Sequence, residues 1–153
     1  MNTTSKGFTL LELIIVVAIV GILAVGGAAA YRNSGKSIEL SSVVSVLRAD
    51  LKQMQSKAMT GEDGMKWGAH LVNETTSNYY ELFSTPTSYA DGGKIVIATT
   101  TLARGISFSD PISGQTKDII FSKITGTTSA TTTTLASEGF TQMITVTTIG
   151  TIY

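Results

Sequence analysis

Gly7-Phe8-Thr9-Leu10-Leu11-Glu12 holds the residues best placed for chemistry: a small-aromatic junction followed, four residues after Phe8, by one carboxylate. A cut between Gly7 and Phe8 would leave a free amine at the start of the segment, with the Glu12 acid one helical turn further on. Repeated on identical subunits, such an amine and acid can pair between neighbours and fix their axial offset. Glu12 needs such a partner. No residue from Leu13 to Tyr31 is charged, and an ionised carboxylate in hydrocarbon costs roughly 2.5–3.5 kcal/mol on insertion scales unless a cation compensates it.

The element that must carry this pair is the apolar run itself. Leu13 to Tyr31 is roughly nineteen residues, a helix of about 29 Å, close to the thickness of a bilayer's hydrocarbon core. A secretory signal peptide competes for the same stretch, with Lys6 as its positive region, Leu13 to Val25 as its apolar region and Ala28-Ala29-Ala30 as a cleavage site before Tyr31. The acid at the mouth of the run and the length of the run speak against it. The mature amino terminus separates the readings: Phe8 for the first, Tyr31 for a secreted domain, Met1 for a plain anchor.

The same six residues match, over its full length, the prepilin signature of the type IV pilin-like family, which includes filament pilins and the pseudopilins of type II secretion. The resemblance implies removal of residues 1–7 by a prepilin peptidase, cleavage falling between Gly7 and Phe8, and N-methylation of the new amine on Phe8. It implies that Glu12 meets the Phe8 amine of an adjoining subunit during assembly. The implied partners are other copies or other pilin subunits, the peptidase, an inner-membrane assembly platform and, before assembly, membrane lipid. The implied location is a single pass through the inner membrane with the carboxyl-terminal domain outside the cytoplasm, then a periplasmic or surface filament. One departure stands out: the helix has no proline, so Gly21, Gly26 and Gly27 are its only weak points.

Composition narrows the function classes. Eleven basic residues balance eleven acidic ones, and losing Lys6 with the leader leaves ten against eleven, so nucleic acid is not indicated as a partner. There is no cysteine, so an exported domain is held by packing alone.

Beyond the apolar run, Asn33-Ser34-Gly35 is a helix-weakening patch at which the helix could bend. From Ile38 to Met59 helical spacing resumes: Leu40, Val44, Leu47, Leu51, Met54 and Ala58 share one face, and Ser41, Ser45, Arg48, Lys52 and Gln55 the other. Gly61 supplies the stop and Glu62-Asp63-Gly64 a turn. Strands are predicted at Lys66 to Val72, Asn78 to Ser84, Lys94 to Thr101, Gly105 to Ser109, Lys117 to Phe121 and Phe140 to Thr148. Ile106 and Phe108 alternate with Ser107 and Ser109, as Ile144 and Val146 do with Thr145 and Thr147, giving each strand one wet face. Lys94 to Ala98 and Ile119 to Phe121 are apolar on both sides, as suits strands covered on both faces. The expected fold is α+β: a long amino-terminal α-helix packed on an antiparallel β-sheet or small β-sandwich. Its parts are a leader at 1–7, a membrane or filament-core helix at 8–31, an amphipathic continuation at 32–61 and a β-rich globular domain at 62–153.

The order of Ser56-Lys57-Ala58, Trp67-Gly68, Tyr79 to Phe83, Gly105 to Phe108, Ile119 to Phe121, and Ile144-Thr145-Val146 with Gly150 resembles the H-type pseudopilins and related minor pilins. That likeness implies a minor subunit. Two segments are read as loops, Thr85 to Gly93 and the Thr-rich Gly126 to Thr134, part of which also suits an edge of the sheet. Catalytic, cofactor and metal sites are not indicated. His70 is read as an exposed strand residue, and Asp63 and Asp91 as turn formers; Asp110 and Asp118 sit beside Pro111 or at a strand start. Two functions stay open: a structural subunit registered by Glu12, or a binding module at a tip that uses Tyr89 to Gly93 or Thr127 to Thr134.

Overall fold

The computed structural model describes residues 7–153, and for residues 25–33 the backbone only. The expected leader therefore lies, apart from Gly7, outside the described residues, as do the side chains of Ala28, Ala29, Ala30 and Tyr31. One helix, α1 (Leu10–Thr60), contributes to two compact units, one up to Gly35 and the other from Lys36 to Tyr153.

In the first unit, α1 begins on a side-chain cap. The Thr9 hydroxyl accepts a hydrogen bond from the Glu12 N–H at 3.2 Å, which satisfies one of the donors left orphaned at a helix start. The apolar residues from Leu10 to Leu23 are exposed in this single chain. The helical backbone runs on through Asn33-Ser34-Gly35, so that patch does not end the helix. Among the described residues no helix is long and apolar enough to cross a membrane; the expected span at 8–31 reaches into residues whose side chains lie outside the described ones.

The second unit holds the core. Leu40, Val44, Leu47, Leu51, Met54 and Ala58 are all buried, as their spacing predicts, each of the larger ones contributing about 2 kcal/mol of apolar transfer. Gly61, at φ 68°, ends the helix, its N–H bonding the Ala58 carbonyl at 3.1 Å.

Seven strands follow: β1 (Lys66–Asn73), β2 (Asn78–Thr85), β3 (Ile95–Thr101), β4 (Ser107–Asp110), β5 (Gln115–Phe121), β6 (Thr131–Ser137) and β7 (Phe140–Val146). They form two antiparallel sheets, ordered β3-β2-β1-β5 and β4-β6-β7. Trp67, Ala69, Leu71, Tyr80, Leu82, Ile119 and Phe121 of the first sheet join Phe108, Leu135, Ile144 and Val146 of the second and the helix face in one core. Buried Asn73, at the end of β1, donates to the carbonyls of Phe108 and Pro111 at 2.8 and 2.6 Å, stitching one sheet to the other.

Three expectations are corrected here. The Thr-rich segment does not stay a loop or an edge: Thr131–Ser137 is the middle strand of the second sheet, with Thr133 buried and its hydroxyl donating to the Asp110 carbonyl. A threonine whose hydroxyl finds a backbone acceptor can enter a core that its polarity alone would bar. Lys94 to Ala98 is not covered on both faces; β3 lies at the sheet's edge and Ile95, Val96 and Ile97 are exposed. His70 is not exposed, because the loop after β2 folds back over it.

Candidate assembly site

Gly7 and Phe8 precede α1 without regular structure, and no atom outside the chain neighbours lies within 4 Å of where a Gly7 Cβ would stand. Phe8 is 79% exposed. The residues on both sides of that peptide are exposed, and Thr9 is the last residue before the helix. Glu12 lies exposed in the first turn, where the helix's positive end favours a carboxylate. The Gly7-Phe8 junction and the Thr9 cap lie immediately ahead of the first helical turn, which carries the acid. Thr9 is the residue that sequence reading passed over, although Thr-x-x-Glu ahead of an apolar run is a capping signature. Among the described residues no cation pairs with Glu12. This carboxylate stands ahead of a collar of exposed Leu, Ile and Val, a surface that favours lipid or other helices over water.

The two loops nominated for binding are tied down. Tyr89 stacks on His70 with centroids 3.6 Å apart and an interplanar angle of 5°, and meets Phe83 edge-on at 5.0 Å. Its hydroxyl donates to Glu81, and Lys94 Nζ sits 3.5 Å above its ring. Burial first, and then the bond to Glu81, push the Tyr89 phenol well above its ordinary pKa. Asp91 builds the turn that follows: the Thr87 hydroxyl and the Gly93 N–H both donate to it, at 2.5 and 2.8 Å. Those two bonds, the first the larger cause, hold its carboxyl below the usual range. The second loop shortens to the residues before β6, held by Ser122 N–H to Thr127 O at 2.8 Å and Thr128 N–H to Thr148 O at 3.1 Å.

His70 and Asp118 approach to 2.5 Å, a pairing that orients an imidazole. Tyr89 covers one face of that ring, so the pair fastens the loop to the sheet. Asp110 pairs with Lys117 at 2.5 Å. Among the described residues no cluster of His, Asp and Glu could hold a metal ion.

Residues 2–28 match the family model described as the prokaryotic N-terminal methylation motif. The chain is 50% identical over 44 residues to the type IV major pilin protein PilE1 of Neisseria gonorrhoeae, covering 29% of this chain and 27% of that one. A fimbrial protein of Neisseria meningitidis serogroup B is likewise 50% identical over 44 residues, 26% of its length. The type IV major fimbrial protein FimA of Dichelobacter nodosus is 37% identical over 92 residues, 60% of this chain and 55% of that one. The alignments thus span about a quarter of the Neisseria proteins and about half of the Dichelobacter one. No solved structure matches. A methylation motif at its amino terminus, similarity to type IV pilins over part of their length and a long helix packed on antiparallel sheets together support a type IV pilin-like family for this chain.

Proposed function

We propose that the chain is a structural subunit of a type IV pilus-like or type II secretion filament. It is cleaved between Gly7 and Phe8 by a prepilin peptidase, N-methylated on Phe8, and registered in the filament by Glu12. The observation that carries this reading is the capped helix start at which an exposed Gly7-Phe8 junction and an acid with no cation partner among the described residues precede exposed apolar side chains. After cleavage, the Phe8 amine of one subunit and the Glu12 carboxylate of the next are opposite charges. In the low-dielectric centre of a helix bundle their attraction far exceeds what it would be in water. The apolar collar lies in membrane lipid before assembly and against neighbouring helices after it, with the β-rich unit outside the cytoplasm and an inner-membrane platform driving the transfer.

The finer assignment is a minor pilin or pseudopilin, supported by the order of motifs in the soluble half; the similarity to major pilins favours a major subunit instead. Copies per sheared filament decide between them. A tip binding module would need a presented loop, and Tyr89, turned in against His70, gives that alternative no support.

The decisive test is Glu12→Ala compared with wild type. The variant should still be cut at Gly7-Phe8, as read by sequencing the mature amino terminus, and still sediment with membranes. Its yield in the sheared filament fraction should fall by tenfold or more, since an uncompensated Phe8 ammonium in the bundle costs on the order of 2–3 kcal/mol. Wild-type filament yield from Glu12→Ala would overturn the registry role, and a mature terminus at Tyr31 would overturn the filament reading altogether.

A further inference from the structure

Two turns at the carboxyl end of α1 carry an exposed isoleucine each. Ile124 is 72% exposed and stands at φ 71°, a left-handed conformation that crowds a β-branched side chain and that asparagine or glycine adopts more easily. Its N–H is held by the Ala58 carbonyl at 2.7 Å, and its turn closes with the Gly126 N–H on the Ser122 carbonyl at 2.9 Å. Ile149, also 72% exposed, stands in the turn closed by the Gly150 N–H on the Thr147 carbonyl at 2.9 Å. A Cβ on Gly150 would lie 2.4 Å from the Gly126 carbonyl oxygen, so the two turns meet backbone to backbone. Backbone strain of this kind clusters where a protein recognises something, and an apolar side chain that strains the fold while facing water calls for a partner.

The chain itself carries a matching receptor. Between α1 and the β3–β4 connection lies a cleft of about 270 Å³ lined by Val43, Val46, Tyr80, Leu102 and Ala103, and among the described residues none that lines it is charged. About 150 Å³ of apolar cavity already holds a benzene ring, so an isoleucine fits. Val46 to Ala58 is twelve residues of helix, about 18 Å, so Ile124, fixed to Ala58, reaches this cleft only on a second copy. Charge favours the same match. Glu39 and Asp50 share a helix face with Val43 and Val46 and flank the cleft with acid, while Lys123 stands beside Ile124. Among the described residues Lys123 and Glu39 are exposed and have no ion-pair partner. Arg104, beyond Ala103 on the other wall, has its counterpart in Asp63, two residues after Gly61.

We infer that Ile124 and Ile149 dock into the Val43–Val46 cleft of a second copy, with Lys123 facing its acids. Projection and cleft are different patches of one unit, so the contact is heterologous: each copy in a pair keeps one of the two free, and the assembly grows open-ended instead of closing. In a filament it would be a second contact beside the Phe8–Glu12 pair. That use rests on the filament reading, and the test is therefore run without filaments.

The absence of native cysteine lets a disulfide report the contact. The full chain in detergent micelles, carrying both Val46→Cys and Ile149→Cys, is oxidised and read on a non-reducing gel. It should give a ladder of dimer, trimer and larger species about tenfold faster than a chain carrying Ile112→Cys and Ile149→Cys, whose positions are as exposed but are not brought together. Neither single variant should cross-link above that control, and a mixture of the two should stop at dimer. Ile124→Asn added to the cysteine pair should abolish the ladder. Alone, Ile124→Asn should melt about 2–4 °C above wild type, because asparagine tolerates the left-handed backbone. A ladder no faster than the Ile112 control, dimer from a single variant at the ladder's rate, or a ladder that survives Ile124→Asn would each overturn the docking. A lower melt for Ile124→Asn would assign the isoleucine to the fold instead of to a partner. A ladder from a chain whose mature terminus proves to be Tyr31 would uphold the contact while removing the filament.

Discussion

Glu12 has two neighbours in its role, one local and one distant. Locally its N–H completes the Thr9 cap, so its backbone helps to start the very helix whose registry its carboxylate is proposed to set. Tyr80 plays a comparable double part in the second unit. Its ring is buried in the core and its hydroxyl donates to Asp50 Oδ2 at 2.6 Å, joining β2 to α1. Burial first, then that hydrogen bond, raise its pKa well above the ordinary tyrosine value. Because the folded state holds this proton more tightly than the unfolded chain does, the stabilisation is fully present below pH about 10. It is lost as pH climbs through the folded value. Tyr80→Phe should cost about 1 kcal/mol at neutral pH. Urea midpoints taken above pH 10 should then fall less steeply for the variant than for wild type, the residual slope including Tyr89. Parallel slopes would show that the Tyr80 phenol is not the group responsible. Gly7, Phe8 and Glu12 could be nominated from the sequence because they stand close together in the chain, at and just ahead of the start of α1. The His70 environment was not, since it depends on a loop returning from β2 to lay Tyr89 on the ring.

At the level of elements, alternation was a good guide where one face met the core. Ile106, Phe108, Ile144 and Val146 are all buried as their spacing predicts. It misled in two opposite cases. β6 is a run of threonines, which reads as polar chain until Thr133 finds the Asp110 carbonyl, and β3 is apolar on both sides yet stands at an edge. Composition reports what a strand would bury but not where in the sheet it lies, because strand order is set by pairings far apart in sequence. Gly68 shows how tight those pairings are. A Cβ added there would lie 2.2 Å from the Ile119 carbonyl oxygen and 3.0 Å from the Ile120 Cα, and both belong to the backbone of β5 paired with β1. Gly68→Ala should therefore destabilise by about 1–3 kcal/mol as the two strands are forced apart. Gly92→Ala, with nothing within 4 Å, should stay within about 0.5 kcal/mol of wild type. Equal urea midpoints for the two variants would mean that β1 and β5 do not approach this closely.

The molecule as a whole divides its labour along the chain. Among the described residues every member of the hydrophobic core cluster lies between Leu40 and Ile152, whereas the apolar side chains from Phe8 to Leu23 are exposed. We predict that the β-rich unit folds on the core that Lys36–Tyr153 itself supplies, and that the exposed apolar side chains from Phe8 to Leu23 are what makes the full chain need detergent. The helix from Lys36 to Thr60 buries its apolar face against the sheets, and that packing, rather than propensity, should hold it in a chain that lacks the preceding residues. Lys36 also keeps its ion pair with Glu138, at the β6–β7 turn. A chain truncated to Lys36–Tyr153 should then be soluble without detergent. It should melt in one cooperative transition, with the same response to Gly68→Ala as the full chain, because both report the same core. A truncated chain that is soluble but lacks a cooperative melt would mean that residues before Lys36 hold the fold together. One that folds yet still requires detergent would place the apolar surface on the β-rich unit, where the β3 edge is the first region to examine.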